Sequence, residues 1–190
     1  IFPRTSMASG VKLYCDNTRL SLPNFVTSTV KARREGTYSC VFDDNGLMYF
    51  SGGVFPGNIK VNGVNNVFIG NGTVAGSILF LDSSSTLTWS LDGSILGNIS
   101  LNGGTLNLAK NMYFEKNACF LTTGTINLDC YLVDFGFTNS VFDVPLNWTS
   151  SHGLISINSN ISFSTTWTIN GICTINGYGN TISLDSGGKI

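Results

Sequence analysis

One phrase of the sequence, "GNISLNG" at 97–103, is nearly identical to an earlier phrase, "GNIKVNG" at 57–63. A related phrase, "GSILFLDS" at 76–83, begins about midway between the two copies. Further on, "GTLNL" at 104–108 returns as "GTINL" at 124–128. The sequence therefore repeats with a period of roughly 20 residues, which is typical of solenoids. The chain is predicted to stack copies of one structural unit.

Within each unit, apolar residues alternate with polar ones. In "NISLN", for example, Ile99 and Leu101 flank Ser100. Alternation over four to six residues predicts a half-buried β-strand, and the Asn-Gly and Gly-Asn pairs between the runs predict turns. We expect the apolar residues to form the core, namely Ile99, Leu101, Leu106, Leu108, Ile126 and Leu128. Trp89 and Trp167 occupy the inward positions of their own alternating strands and are expected there too.

A unit of this length with two or three short strands fits one coil of a right-handed parallel β-helix, so the predicted fold is an all-β solenoid. We place the solenoid at 51–190. Residues 1–50 contain six of the ten basic residues and alternate less clearly, and we predict that they form an N-terminal capping or assembly segment. The alternative is an antiparallel β-sandwich or jelly roll, which also has short strands at close spacing. The repeated phrases favour the solenoid.

The chain carries little charge, and this limits its partners. Charged residues make up 11% of the sequence and the formal net charge is −1. Since nucleic-acid-binding proteins present strongly basic surfaces, we expect no nucleic-acid partner. No apolar run approaches the ~20 residues of a membrane-spanning helix, so no membrane span is predicted. In a stacked solenoid, equivalent side chains form columns in which like charges repel and Asn, Ser and Thr can hydrogen-bond.

The five cysteines and the single histidine, His152, do not form a metal-binding pattern, and we predict neither a metal nor a cofactor. Cys15 and Cys40 both lie in the N-terminal segment, where a disulfide between them is possible. Cys130 and Cys173 lie two residues from apolar strand positions, and we predict that both are small core residues.

The phrases "GNISLNGGTLNL", "GTINLD" and "GYGNTISLDSGGKI" resemble those of parallel β-helix surface proteins of bacteria, such as autotransporter passengers and large adhesins. The resemblance covers roughly residues 51–190 and is one of repeat style. It implies a secreted or surface-displayed protein, often rod-like, with a binding or scaffolding role.

Some parallel β-helices cleave polysaccharides, and their chemistry requires clustered carboxylates. Asp43 and Asp44 are adjacent, and "SHG" around His152 is similar to the Gly-His-Gly of polygalacturonases. Other motifs of those enzymes are missing, however. Asp129 and Asp134 could meet on one loop, although aspartate is a common turn residue. We therefore predict no catalytic residues and no enzymatic activity, with a carbohydrate-active β-helix enzyme as the alternative.

Two surface features bear on binding. Trp148, in the loop-like stretch "LNWTSSHG", is predicted to be an exposed aromatic contact. Ice binding by a solenoid would need threonine at one position of every coil. The Thr-x-Thr-like pairs in "STLTWS" and "STTWTIN" lie far apart in the chain, and "GTLNL" and "GTINL" interrupt the series, so the sequence does not favour this function.

The sequence thus leads us to expect an extracellular or cell-surface protein without enzymatic activity, a structural or adhesive segment of an adhesin or fibre. We expect self-association end to end, because an open solenoid end exposes strand edges. A host surface or a glycan is the possible ligand. A phage or virus fibre domain is a further alternative.

Overall fold

A computed structural model of the chain describes residues 25–27, 32–35, 38–115, 118–136, 140–142, 144–184 and 190. Every helix or strand assigned within these residues is a β-strand. The first ten are β1 (Phe25–Thr27), β2 (Ala32–Glu35), β3 (Tyr38–Phe42), β4 (Leu47–Phe55), β5 (Ile59–Val61), β6 (Asn66–Val74), β7 (Ile78–Phe80), β8 (Thr86–Ile95), β9 (Ile99–Ser100) and β10 (Thr105–Leu108). The others are β11 (Met112–Phe114), β12 (Phe120–Thr122), β13 (Gly124–Asp129), β14 (Leu132–Phe135), β15 (Ser140–Phe142), β16 (Leu146–Ile157), β17 (Ile161–Phe163), β18 (Trp167–Asn176) and β19 (Ile182–Leu184).

The strands stack in parallel as successive layers of a solenoid. Strands β4, β6, β8, β10, β13, β16 and β18 follow one another in the largest sheet. In the fourth and fifth layers the long strand is divided, and β11 and β14 continue β10 and β13. The short strands β3, β5, β7, β9 and β12 form a second parallel sheet, and β15, β17 and β19 form a third. The coils are about 21 residues long and make about six turns, which confirms the predicted solenoid over the antiparallel sandwich.

Parallel stacking begins in the N-terminal part of the chain. Strand β3 pairs in parallel with β5 from Cys40 onward, and the boundary predicted at residue 50 falls within β4. Two strands that precede this layer pair in the opposite sense: β1 is antiparallel to β4, and β2 is antiparallel to β3. Residues 1–24 lie outside the described residues, so the capping role of the N-terminal segment stays a prediction.

The core lies inside the coils, where apolar side chains stack from layer to layer. All six predicted core residues are buried, with Leu108 the most exposed at 5%. Trp89 and Trp167 are also buried, as predicted. Aromatic rings continue the stack along the axis, and the ring centroids of Trp148 and Trp167 lie 5.0 Å apart.

The prediction that Trp148 is an exposed contact is wrong, because its side chain has no exposed surface. The stretch predicted to be loop-like is the first half of β16, where Leu146 and Trp148 both point inward. In the ladder, Trp148 pairs with Ile126 of β13 and with Ile169 of β18. Its packing between Ile126 and Ile169 therefore keeps the indole out of water.

Contacts between layers explain the repeated Gly-Asn phrase. A Cβ atom on Gly76 would lie 1.9 Å from the carbonyl oxygen of Gly57, and one on Gly97 would lie 2.2 Å from that of Gly76. The asparagine after the glycine forms a hydrogen bond with the backbone of the next layer: Asn58 Oδ1 accepts from the Ser77 N–H at 2.9 Å. Asn98 likewise accepts from the N–H of the equivalent residue one layer on, Cys119, at 3.1 Å. The motif thus recurs because each corner approaches the previous one too closely for a side chain.

Candidate functional site

The adjacent aspartates Asp43 and Asp44 lie far from His152 in the solenoid. Asp43 and Asp44 lie in the turn between β3 and β4 of the first layer, whereas His152 is an exposed residue of β16 in the sixth. At a strand spacing of about 4.8 Å, five layers separate them by about 24 Å along the axis. Both aspartates hold turns in place, since Asp43 accepts from the Asn62 amide at 2.8 Å and Asp44 from the Val64 N–H at 2.7 Å.

Asp129 and Asp134 have separate hydrogen-bond partners in the next layer. Asp129 ends β13 with a φ of 51° and accepts a hydrogen bond from the Ser151 hydroxyl at 2.7 Å. Asp134 lies on β14 and accepts from the Asn158 amide at 2.5 Å. Partial burial raises the pKa of Asp134.

The cysteines show one further difference from expectation. Cys173 is half-buried against the core, and burial raises the pKa of its thiol. The prediction that Cys130 is a core residue is wrong, since it is exposed. The left-handed backbone of Asp129 ends the strand and shifts the alternation just before Cys130.

Cys40 is buried, and because Cys15 lies outside the described residues, the disulfide stays a prediction. Within the described ranges, His, Cys, Asp and Glu form no cluster able to hold a metal ion.

Five successive strands of the large sheet present an uncharged polar surface, which we call the polar face. Each strand presents two hydroxyl or amide side chains, two residues apart, on either side of an inward apolar residue. On β8, for example, Thr86 and Thr88 flank the buried Leu87. The polar face consists of Thr86 and Thr88 on β8, Thr105 and Asn107 on β10, Thr125 and Asn127 on β13, Asn147 and Thr149 on β16, and Thr168 and Asn170 on β18.

The register aligns these ten residues in two straight columns. Thr105 pairs with Thr86 on one side and Thr125 on the other, and Asn147 and Thr168 continue this first column. The second column is Thr88, Asn107, Asn127, Thr149 and Asn170. Thr86 and Thr88 of "STLTWS" and Thr168 of "STTWTIN" therefore belong to one surface although they are far apart in sequence, whereas Thr166 lies outside the two columns. The phrases "GTLNL" and "GTINL" continue the series, with asparagine in place of the second threonine.

Hydrogen bonds along the second column fix its side chains. The Asn127 amide donates to Asn107 Oδ1 at 2.5 Å, and the Thr149 hydroxyl donates to Asn127 Oδ1. At one end of the first column, Thr86 Oγ1 accepts from the Asn65 N–H at 2.8 Å. The β-branch of threonine further restricts its side chain. The polar face is therefore a preorganised array of donors and acceptors.

Beside the second column lies a shallow groove of about 360 Å³, which we call the polar groove. Asp129 supplies its carboxylate, and the other lining residues are Asn127, Thr149, Ser150, Ser151 and Asn170. Beyond β8, the second column continues with apolar residues, Val67 of β6 and Leu47 of β4. The polar face thus has a defined apolar edge on one side.

Sequence reasoning missed the polar face as a continuous surface. The signal was present, since "TLT", "TLN", "TIN", "NWT" and "TIN" begin at positions 86, 105, 125, 147 and 168. The unequal steps between these positions hid the alignment, which the hydrogen-bonded register makes plain.

No protein-family model, curated protein sequence or solved structure matches this chain. In the part of the chain that the structure describes, no helix is long and apolar enough to cross a membrane.

Proposed function

We propose that the protein is a non-enzymatic, extracellular β-solenoid with a structural or adhesive role, and that the polar face is its contact surface. The observation that carries this proposal is the alignment of ten uncharged polar residues in two columns over five layers. Such a surface offers many equivalent weak contacts, which together hold an extended ligand through multivalency. A host surface or a glycan is an extended ligand of this kind.

The placement of the charged groups supports binding over catalysis. Hydrolysis of a glycosidic bond needs two carboxyl groups within roughly 10 Å of each other on opposite sides of that bond. Among the described residues, Asp129 is the one carboxylate that lines the polar groove. Asp43 and Asp44 hold a turn at the other end of the solenoid.

Binding and catalysis can be separated with insoluble glycans. We would mix the labelled protein with chitin, cellulose or peptidoglycan sacculi and measure both co-sedimentation and released reducing ends. Thr125→Tyr places a bulky side chain in the middle of the polar face. Ser100→Tyr is its matched control, because Ser100 is a half-buried polar strand residue of the second sheet. We expect Thr125→Tyr alone to weaken co-sedimentation, with no sugar released. Turnover that His152→Ala or Asp44→Ala abolishes would overturn the proposal.

We also propose that the protein associates end to end. The support comes from β18, where Ile169, Cys173 and Ile175 are only half-buried although they face the core. A strand from a second copy could cover them by adding to the ladder. We expect sedimentation velocity to show assemblies that grow with concentration, and a charged, proline-containing cap after Ile190 to abolish them with an unchanged circular dichroism spectrum. Equal monomeric behaviour of capped and uncapped protein would contradict this proposal.

A further inference from the structure

We infer that the polar face binds ice, so that the extended ligand of the proposed contact surface is crystalline water. This inference rests on the proposed role of the polar face as a contact surface. It also reverses the sequence argument against ice binding, since Thr86, Thr88 and Thr168 belong to the same two columns although they are far apart in sequence.

The polar face is regular in two dimensions. Adjacent layers of a parallel sheet are about 4.8 Å apart, and residues i and i+2 of one strand are about 6.6 Å apart. Hydroxyl and amide groups therefore recur in two directions over five strands. A ligand that uses all of them must repeat in two directions as well. A crystal face of ice does so, whereas a single glycan chain or peptide follows one line.

The hydrogen-bonding groups of the polar face match those of an ice surface. Threonine hydroxyls and asparagine amides each donate and accept hydrogen bonds, as each water molecule of an ice surface does. The ten residues of the polar face include no charged side chain, and the ion pair between Lys110 and Asp92, 3.9 Å apart, involves no residue of the face. Charged groups bind their own hydration water strongly, and that water would have to be removed or reordered on contact with the crystal.

The side chains of the polar face are held rigidly. Asn107, Asn127 and Thr149 are joined by side-chain hydrogen bonds, and the inward residues between the columns, such as Leu106 and Ile126, are fully buried. Side chains that are already ordered lose little conformational entropy when a ligand binds. The surface can therefore order water at fixed positions before it meets the crystal.

The test uses the full chain with a fluorescent label. A polycrystalline ice hemisphere is grown slowly from the protein solution, and the fraction of label in the ice is measured, together with thermal hysteresis. We expect the wild-type protein to be incorporated into the ice and Thr125→Tyr to lose most of both signals, with affinity reduced about tenfold or more. Ser100→Tyr, with the same added bulk on another sheet, should behave like the wild type.

A second variant distinguishes a loss of ice binding from a loss of folding. Asn147 is exposed, so Asn147→Lys places a charge on the polar face without disturbing the core. We expect it to reduce ice incorporation while the melting temperature stays unchanged. Retention of ice binding in both variants would overturn the inference.

The outcomes also separate this inference from the proposed function. Exclusion of the wild-type protein from ice would overturn ice binding. If the same protein then co-sediments with crystalline chitin or cellulose, and Thr125→Tyr does not, the polar face remains a contact surface with a glycan as its ligand. If Thr125→Tyr matches the wild type with every probe, both the inference and the proposed contact surface are wrong.

Discussion

Strands β16 and β18 are neighbours in one ladder, yet their inward side chains differ in burial. Trp148 and Ile155 of β16 have no exposed surface, whereas their partners in β18, Ile169 and Ile175, are half-buried. Strand β16 has parallel partners on both sides, namely β13 and β14 on one and β18 on the other. Within the described residues, β18 pairs only with β16.

This difference shows that each layer of the solenoid depends on the layers next to it. In a repeat protein, stability is approximately the sum of the contributions of the units and of the interfaces between neighbours. A residue of an inner layer therefore contributes to two interfaces, while its counterpart in β18 contributes to one. Equivalent substitutions in the two regions should differ in cost.

The largest difference is expected for glycines. A Cβ atom on Gly93 would lie 1.7 Å from the carbonyl oxygen of Gly72, so Gly93→Ala forces two layers apart. At Gly177, after β18, the nearest atom to a new Cβ would be the Asn180 oxygen at 3.3 Å. We expect a loss of about 4 kcal/mol or more for Gly93→Ala and less than about 1 kcal/mol for Gly177→Ala, measured by urea unfolding. Equal midpoints would show that the layers can separate at little cost.

The next difference concerns core isoleucines in register. Ile155 and Ile175 are ladder partners of the same residue type. Ile155→Ala leaves a cavity between two layers and should cost about 3–4 kcal/mol, whereas Ile175→Ala should cost about half as much, because its side chain already contacts water. Thermal and urea unfolding of the two variants measures this. Equal losses would mean that another part of the chain covers β18.

A smaller difference is expected for two asparagines with similar hydrogen bonds. Asn66 is fully buried; it accepts from the Gly46 N–H at 2.9 Å and donates to three carbonyl oxygens. Asn180 is half-buried and donates to the Gly177 oxygen at 2.7 Å. Asn66→Ala leaves buried partners unsatisfied and should cost about 2–3 kcal/mol, against about 1 kcal/mol for Asn180→Ala. Hydrogen exchange at Gly46 should accelerate only in the first variant.

The smallest effect concerns a carboxyl group. Asp134 lies between β11 and β16, and burial raises its pKa above the ordinary 3.8. Since the folded protein holds this proton more tightly, the resulting stabilisation is complete below pH 3.8 and is lost as the pH rises through the folded-state pKa. Asn176→Asp places a carboxyl group at the equivalent position of β18, where we expect the pKa to be closer to the ordinary value. NMR titration of both groups is the measurement, and the reverse order would contradict the comparison.

The solenoid and eight buried residues of its core could be predicted from local patterns in the sequence. Alternation of apolar and polar residues is local, so it identifies inward positions such as Ile99 and Leu101 without knowledge of their neighbours. The Gly-Asn phrases can also be recognised in the sequence, because their residue types follow from close contacts that recur between layers. Trp148 could have been predicted correctly from its spacing to Leu146, but its polar surroundings suggested a loop.

The register between layers follows from the stacking of the coils and could not be predicted from the sequence. The coil length drifts along the chain, since turn geometry sets each step: Thr86 pairs with Thr105, and Thr125 pairs with Asn147. A single left-handed residue, Asp129, is enough to shift the alternation and expose Cys130. The two columns of the polar face therefore depend on hydrogen bonds between strands that are distant in sequence. Because those bonds form only when the coils stack, the most distinctive surface of the protein is a property of the stack rather than of any single repeat.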